Sequence, residues 1–104
     1  MDDPSAFKGL DASGGYHFPG FSAQAAEFLL ERRDISGVGV DTLSIDGAVN
    51  PGAPVHHMVL GADLYGLENL AHLQRIPRSG ARLFIGVVPY EQGSGGPCRV
   101  IAEV

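Results

Sequence analysis

Cysteine is nearly absent from this 104-residue chain: Cys98 is the only one. A single thiol excludes an internal disulfide framework and any cysteine-rich zinc site. Tryptophan is missing altogether, and no apolar run approaches the roughly 18 residues of a membrane-spanning helix. Basic residues are also scarce. Seven Lys and Arg stand against twelve Asp and Glu, with a formal net charge of −5. That balance argues against nucleic acid or an anionic membrane as partner, because both need a basic surface. The acidic start, Met1 to Pro4, lacks the charged-then-apolar profile of a signal peptide, so the expected location is the cytoplasm. No internal repeat, linker or low-complexity tract is evident beyond a short GSGG.

What is present is a globular composition. Hydrophobic residues make up 44% and charged residues 18%, enough apolar material to fill a core. The length fits one small domain over residues 1–104. Its 15 glycines and 7 prolines are about a fifth of the chain, against roughly 12% in average proteins. Turns and close backbone approaches are therefore expected, and a long helical bundle is not. Residues 1–20 read as an irregular arm. Ser22 can cap a helix running to Arg33, with Phe21 packing back on its first turn and Ala25, Ala26, Phe28, Leu29 and Leu30 forming its apolar face. The stretch 35–41 (ISGVGVD) reads as a buried strand. Gly37 and Gly39 leave one of its faces bare, so a neighbour should pack there.

Residues 46–54 (DGAVNPGAP) form a loop by composition. A short helix over 55–60 stopped by Gly61, a short strand over 64–67, and one or two helical turns within 69–76 ended by Pro77 follow. Strands over 82–88 and 99–104 should pair as a hairpin around a turn at 92–96. The predicted class is α/β: a small mixed sheet with one main helix packed on it.

Few side chains carry chemistry. His56 and His57 follow Pro54, and Glu68 lies twelve positions beyond His56. Imidazole nitrogen with carboxylate oxygen suits Zn, Mn or Fe(II). Twelve residues is too far for one helix face, but a turn-then-strand path through Gly61 and Asp63 could bring the two together. On spacing alone, the plain alternative stands beside this: His56 as a hydrogen-bonded interior histidine and Glu68 as a surface acid. Asp41, at the carboxyl end of the first strand, is either a functional acid or a cap on the next turn through Thr42. GVGVDT lacks the third glycine of a dinucleotide fingerprint, and GSGGP lacks the Lys-Ser/Thr of a phosphate loop. Cys98 has no implied base partner, and Ser44 has no nucleophile-elbow context.

Three segments taken in order resemble a known family: GVGVDTLSID (37–46), PVHHMVLGADLYGLENLAHL (54–73) and GSGGPCRVIAEV (93–104). The stretch FPGFSAQAAEFLLERRDISG (18–37) is similar to the helix that precedes the first of them. Together they look like the C-terminal half of the metal-dependent cyclase family, which includes bacterial kynurenine formamidase and isatin hydrolase. The resemblance implies half of a cyclase-type swivelling β/α domain. It further implies a centre holding Zn or Mn, to which this half gives two ligands, His56 and Glu68. His57 would be a neighbour of the site, and Asp41 and His57 possible pocket residues.

The family's main metal motif, His-x-Gly-Thr-His-x-Asp, has no counterpart here; the other histidines, His17 and His72, lack its context. A catalytic zinc takes three protein ligands and an open position, so the resemblance implies weak metal binding and incomplete catalysis by the chain alone. Two functions of different class follow. One is a half-domain of a metal-dependent amide or lactam hydrolase, completed by a separate polypeptide; a natural truncation, a split-enzyme subunit or a repurposed half-gene would each give such a chain. The other is a non-catalytic module that self-associates through the face its lost half once covered and binds a small molecule or a protein.

Overall fold

The computed structural model describes residues 15–104; the sequence expectation for the rest of the arm lies outside them. The chain divides into two units, one ending at Ala71 and one running from His72 to Val104.

In the first unit, helix α1 spans Ala23–Arg32. Its Ser22 cap is extended, and the hydroxyl accepts from the Ala25 amide at 3.0 Å. Arg32 sits in the last turn, where the helix dipole favours a cation. The Arg33 guanidinium lies over the Phe28 ring, 4.9 Å from its centroid.

Strand β1, Gly37–Gly39, pairs in parallel with β2, Tyr65–Leu67. The predicted 35–41 strand is thus reduced to three ladder residues and is only half-buried, because its partner supplies only three. The bare glycine face is covered as expected. A Cβ on Gly37 would fall 2.3 Å from the Tyr65 ring, and one on Gly39 would fall 2.9 Å from Leu70. Beyond the ladder the chains continue side by side. The amide of Val40 donates to Leu67, and those of Asn69 and Leu70 donate back to Thr42 and Val40. Asn69 turns the chain with a left-handed φ of 58°, a conformation asparagine tolerates better than most residues.

Helix α2 spans Pro54–Gly61, with the proline in its first turn, where no amide is needed. Its core-facing residues, Val55 and Val59, are buried with Ala26 of α1 and Ile45; Phe21, Val38, Val40, Met58 and Leu64 pack around them. The main helix therefore packs chiefly on a second helix. Residues 18–21 run beside the 45–48 segment: Phe21 donates to Ile45 at 2.8 Å and Ala48 to Phe18 at 3.1 Å. Contact is so close that a Cβ on Gly20 would lie 2.3 Å from the Gly47 amide nitrogen.

In the second unit, the expected helical turns shrink to one 3₁₀ turn, Leu73–Arg75. Strands β3, Arg82–Val87, and β4, Cys98–Glu103, pair antiparallel from Arg82 opposite Glu103 to Val87 opposite Cys98. This is the predicted hairpin to within a residue. The molecule is α/β as expected, with parallel and antiparallel pairing kept in separate two-stranded ladders instead of one joined sheet.

Candidate metal centre

The site starts from a capping problem. Helix α2 begins after Ala53, which is left-handed (φ 48°) and has no side chain to cap with. Two of its free amides are served from nine and ten positions upstream by Asp46. Oδ1 of this carboxylate accepts from the Val55 amide at 2.9 Å, and Oδ2 accepts from the His56 amide at 2.9 Å. Asn50 adds a side-chain donor to Oδ1 at 3.2 Å. Asp46 is itself buried, 4% exposed, and its backbone amide is held by the Ser44 hydroxyl at 3.1 Å.

A fourth donor completes the shell: Nδ1 of the His56 ring lies 2.7 Å from Oδ2. Burial alone pushes the Asp46 carboxyl up. The bonds from the His56 ring, the Val55 and His56 amides and Asn50 outweigh it and hold the group below its ordinary value. Among the described residues every other partner of the carboxylate is an N–H donor, so the ring faces it with the hydrogen on Nδ1.

The other ring nitrogen, Nε2, then points toward Glu68, with Oε2 at 3.4 Å. Glu68 reaches this position because the parallel run of 67–70 against 39–42 carries it over the Ile45 amide, which donates to the same oxygen at 3.1 Å. The imidazole and carboxylate, twelve residues apart, converge through a helix, a turn and a strand. Each is about one-third exposed at its side chain, so the pair is open to solvent.

With the hydrogen on Nδ1, a neutral ring turns a lone pair toward carboxylate lone pairs. Either of two species satisfies them: a proton on Nε2, or a cation between the two groups. The separation is long for a hydrogen bond. It equals the roughly 3.3–3.5 Å expected between two donors each about 2.0–2.2 Å from a tetrahedral ion. The pair therefore fits a divalent cation in donor type and spacing. It offers two donor groups only: among the described residues no group of three or more His, Cys, Asp and Glu is placed to hold a metal.

The other sequence candidates stand apart. His57, one residue along α2, is exposed and turned away from the cluster. Asp41 sits half-buried after β1 and joins none of the cluster's bonds; the neighbouring Thr42 hydroxyl donates instead to the Pro19 carbonyl at 2.8 Å. By sequence, Asp46 and Asn50 read only as loop. The signal that finds them is a helix opening at proline with no capping residue before it, downstream of an Asp-Gly turn.

Residues 2–47 match the family model described as "Putative cyclase". The chain is 34% identical to an isatin hydrolase of Roseibium aggregatum over 106 residues, which cover 98% of this chain and 40% of that protein. Its fold matches isatin hydrolase A from Labrenzia aggregata, solved with benzyl benzoate, at a TM-score of 0.87 and 35% identity, covering 96% of this chain and 40% of that one. Isatin hydrolase A from Ralstonia solanacearum gives 0.83 and 36%, over 96% and 39%. The chain thus spans about 40% of the length of the relatives it matches.

Proposed function

We propose that this chain, whose sequence and fold match those of part of a cyclase-family protein, serves a metal-dependent hydrolase of cyclic or N-acyl aromatic amides by supplying two metal ligands, His56 and Glu68. The observation that carries this reading is the approach of His56 Nε2 to Glu68 Oε2 at 3.4 Å, with the opposite ring nitrogen anchored on Asp46. A divalent ion such as Zn or Mn, when bound, polarises the amide carbonyl and lowers the pKa of water. Within the chain, Glu68 brings negative charge to the ion, His56 presents a neutral donor, and the Ile45 amide fixes the carboxylate. Further ligands and the general acid/base are to be supplied from outside residues 15–104, and we propose a separate polypeptide as their source.

The test is metal binding and hydrolysis together. The chain alone should take up Zn(II) or Mn(II) weakly and leave isatin and N-formyl aromatic amides intact. Hydrolysis should appear when a polypeptide carrying the histidine-rich motif is added, and His56→Ala should abolish it. Rapid hydrolysis by the chain alone would overturn the two-part reading. Metal uptake unchanged in His56→Ala and Glu68→Gln would overturn the ligand assignment.

A second reading, a self-associating binding module, is favoured by the hairpin, where Leu83, Phe84, Val87 and Ile101 are all exposed. A stable symmetric oligomer that takes up no metal under any pairing would support it.

A further inference from the structure

We infer that Asp46 is a positioning residue of the metal centre: its Oδ2 atom joins the first turn of helix α2 to the Nδ1 edge of His56, and so fixes Nε2 as the atom offered to the ion. This rests on the ligand reading above and goes beyond it, because Asp46 lies outside the His56–Glu68 pair.

Asp46 Oδ1 takes the Val55 amide and Asn50; Oδ2 takes the His56 amide and the His56 ring. Backbone and side chain of the same histidine thus hang on one oxygen. The amide contact sets where the residue starts on the helix, and the ring contact sets its rotation and its tautomer. Neither can slip without losing a bond to a buried carboxylate, and a buried donor left unpaired is costly. The Ile45 amide, on the residue that precedes Asp46, fastens Glu68. The backbone at 45–46 therefore holds both members of the pair. Metal-ligating histidines that give their other ring hydrogen to a carboxylate follow the same arrangement in general.

A cap alone would explain Asp46 without any metal role, and the experiment must separate the two. Asparagine caps helices about as well as aspartate, so Asp46→Asn keeps an acceptor for the Val55 amide. With its oxygen on that amide, its NH₂ group faces both Nδ1 and the His56 amide, which gives up its acceptor. A donor there moves the ring hydrogen to Nε2 and blocks ligation. Two readouts follow on the full chain, with thermal melting and far-UV circular dichroism to show that α2 is retained.

The ring-nitrogen shifts of His56, read by NMR in mildly alkaline buffer without metal, should report hydrogen on Nδ1 in the parent chain and on Nε2 in Asp46→Asn. In a titration with Zn(II) alone, Asp46→Asn should lose on the order of 10- to 100-fold in affinity. Asp46→Glu, which retains two acceptor oxygens, should recover part of it. The inference is overturned if Asp46→Asn stays folded, keeps the hydrogen on Nδ1 and binds Zn(II) as the parent does. If His56→Ala and Glu68→Gln also bind Zn(II) as the parent does, the ligand reading itself has failed. If they lose binding while Asp46→Asn does not, only the positioning role has failed.

Discussion

The Asp46 cluster and the β3–β4 hairpin treat their awkward groups in opposite ways. At Asp46 a buried charge is fully dressed: four N–H groups converge on two oxygens, and Ile45, Val55 and Val59 close over the backbone around it. In the hairpin the backbone is paired over six residue pairs, yet most side chains stay exposed and only Ile85, Val100 and Ala102 are half-buried. Phe84 and its cross-strand neighbour Ile101 are 51% and 53% exposed. A two-stranded hairpin with open faces is marginal by itself in water. The first region thus carries its own reasons to be folded, whereas the second has the strand chemistry without the cover that such strands need.

The largest break in that comparison comes from removing the charge. Asp46→Ala deprives two amides at the start of α2, the His56 ring and Asn50 of their acceptor at once. Loss of an N-cap together with unsatisfied buried donors should cost about 3 kcal/mol, read as a drop in the urea midpoint. Acid should act through the same group. Its carboxyl lies below the ordinary value of 3.8 in the folded chain. The stability it adds is therefore fully present above about pH 4 and is lost as pH falls through the folded-state value. Urea titrations at falling pH should show this loss in the parent chain, and Asp46→Asn should lack that component. A parent chain with equal stability across that acid window would contradict the assignment of Asp46 as the charged cap.

The hairpin should respond the other way. Replacing Phe84 and Ile101 together by threonine keeps two β-formers and removes two exposed apolar side chains. Stability of the unit ending at Ala71 should change by less than about 0.5 kcal/mol. Any self-association, or binding to a complementary polypeptide, should weaken strongly, since exposed apolar patches of this kind drive association. Sedimentation velocity on parent and variant decides this. Equal association in both would mean that the hairpin face is not the contact.

The two regions also differ in how far the sequence discloses them. The hairpin was legible because alternating β-branched and apolar residues around a Gly-rich turn are a local pattern. Helix α1 was legible for the same reason, from Ser22 and its apolar stripe. The pair His56 and Glu68 enters through resemblance; spacing alone favours an ordinary interior histidine and a surface acid. Asp46 is not legible, because a cap normally sits next to its helix and this one is separated from it by the seven residues Gly47 to Ala53, which carry only turn signals. The parallel pairing of 37–39 with 65–67 is non-local too, and three-residue strands leave no periodicity to read.

The smallest effect is also the sharpest control. His57 is adjacent to His56 in sequence and shares its side-chain chemistry, but it lies about 100° further round the helix and is exposed. If composition near the proline were what mattered, the two histidines would be interchangeable. If the Asp46 contact matters, they are not: only one ring can reach a carboxylate that already holds its own backbone amide. His57→Ala should therefore shift stability by no more than about 0.5 kcal/mol and leave Zn(II) affinity unchanged, while His56→Ala lowers that affinity. Equal losses from the two substitutions would show that the ion is held by a loose histidine pair on the helix surface, and would remove the reason for a buried carboxylate behind one of them.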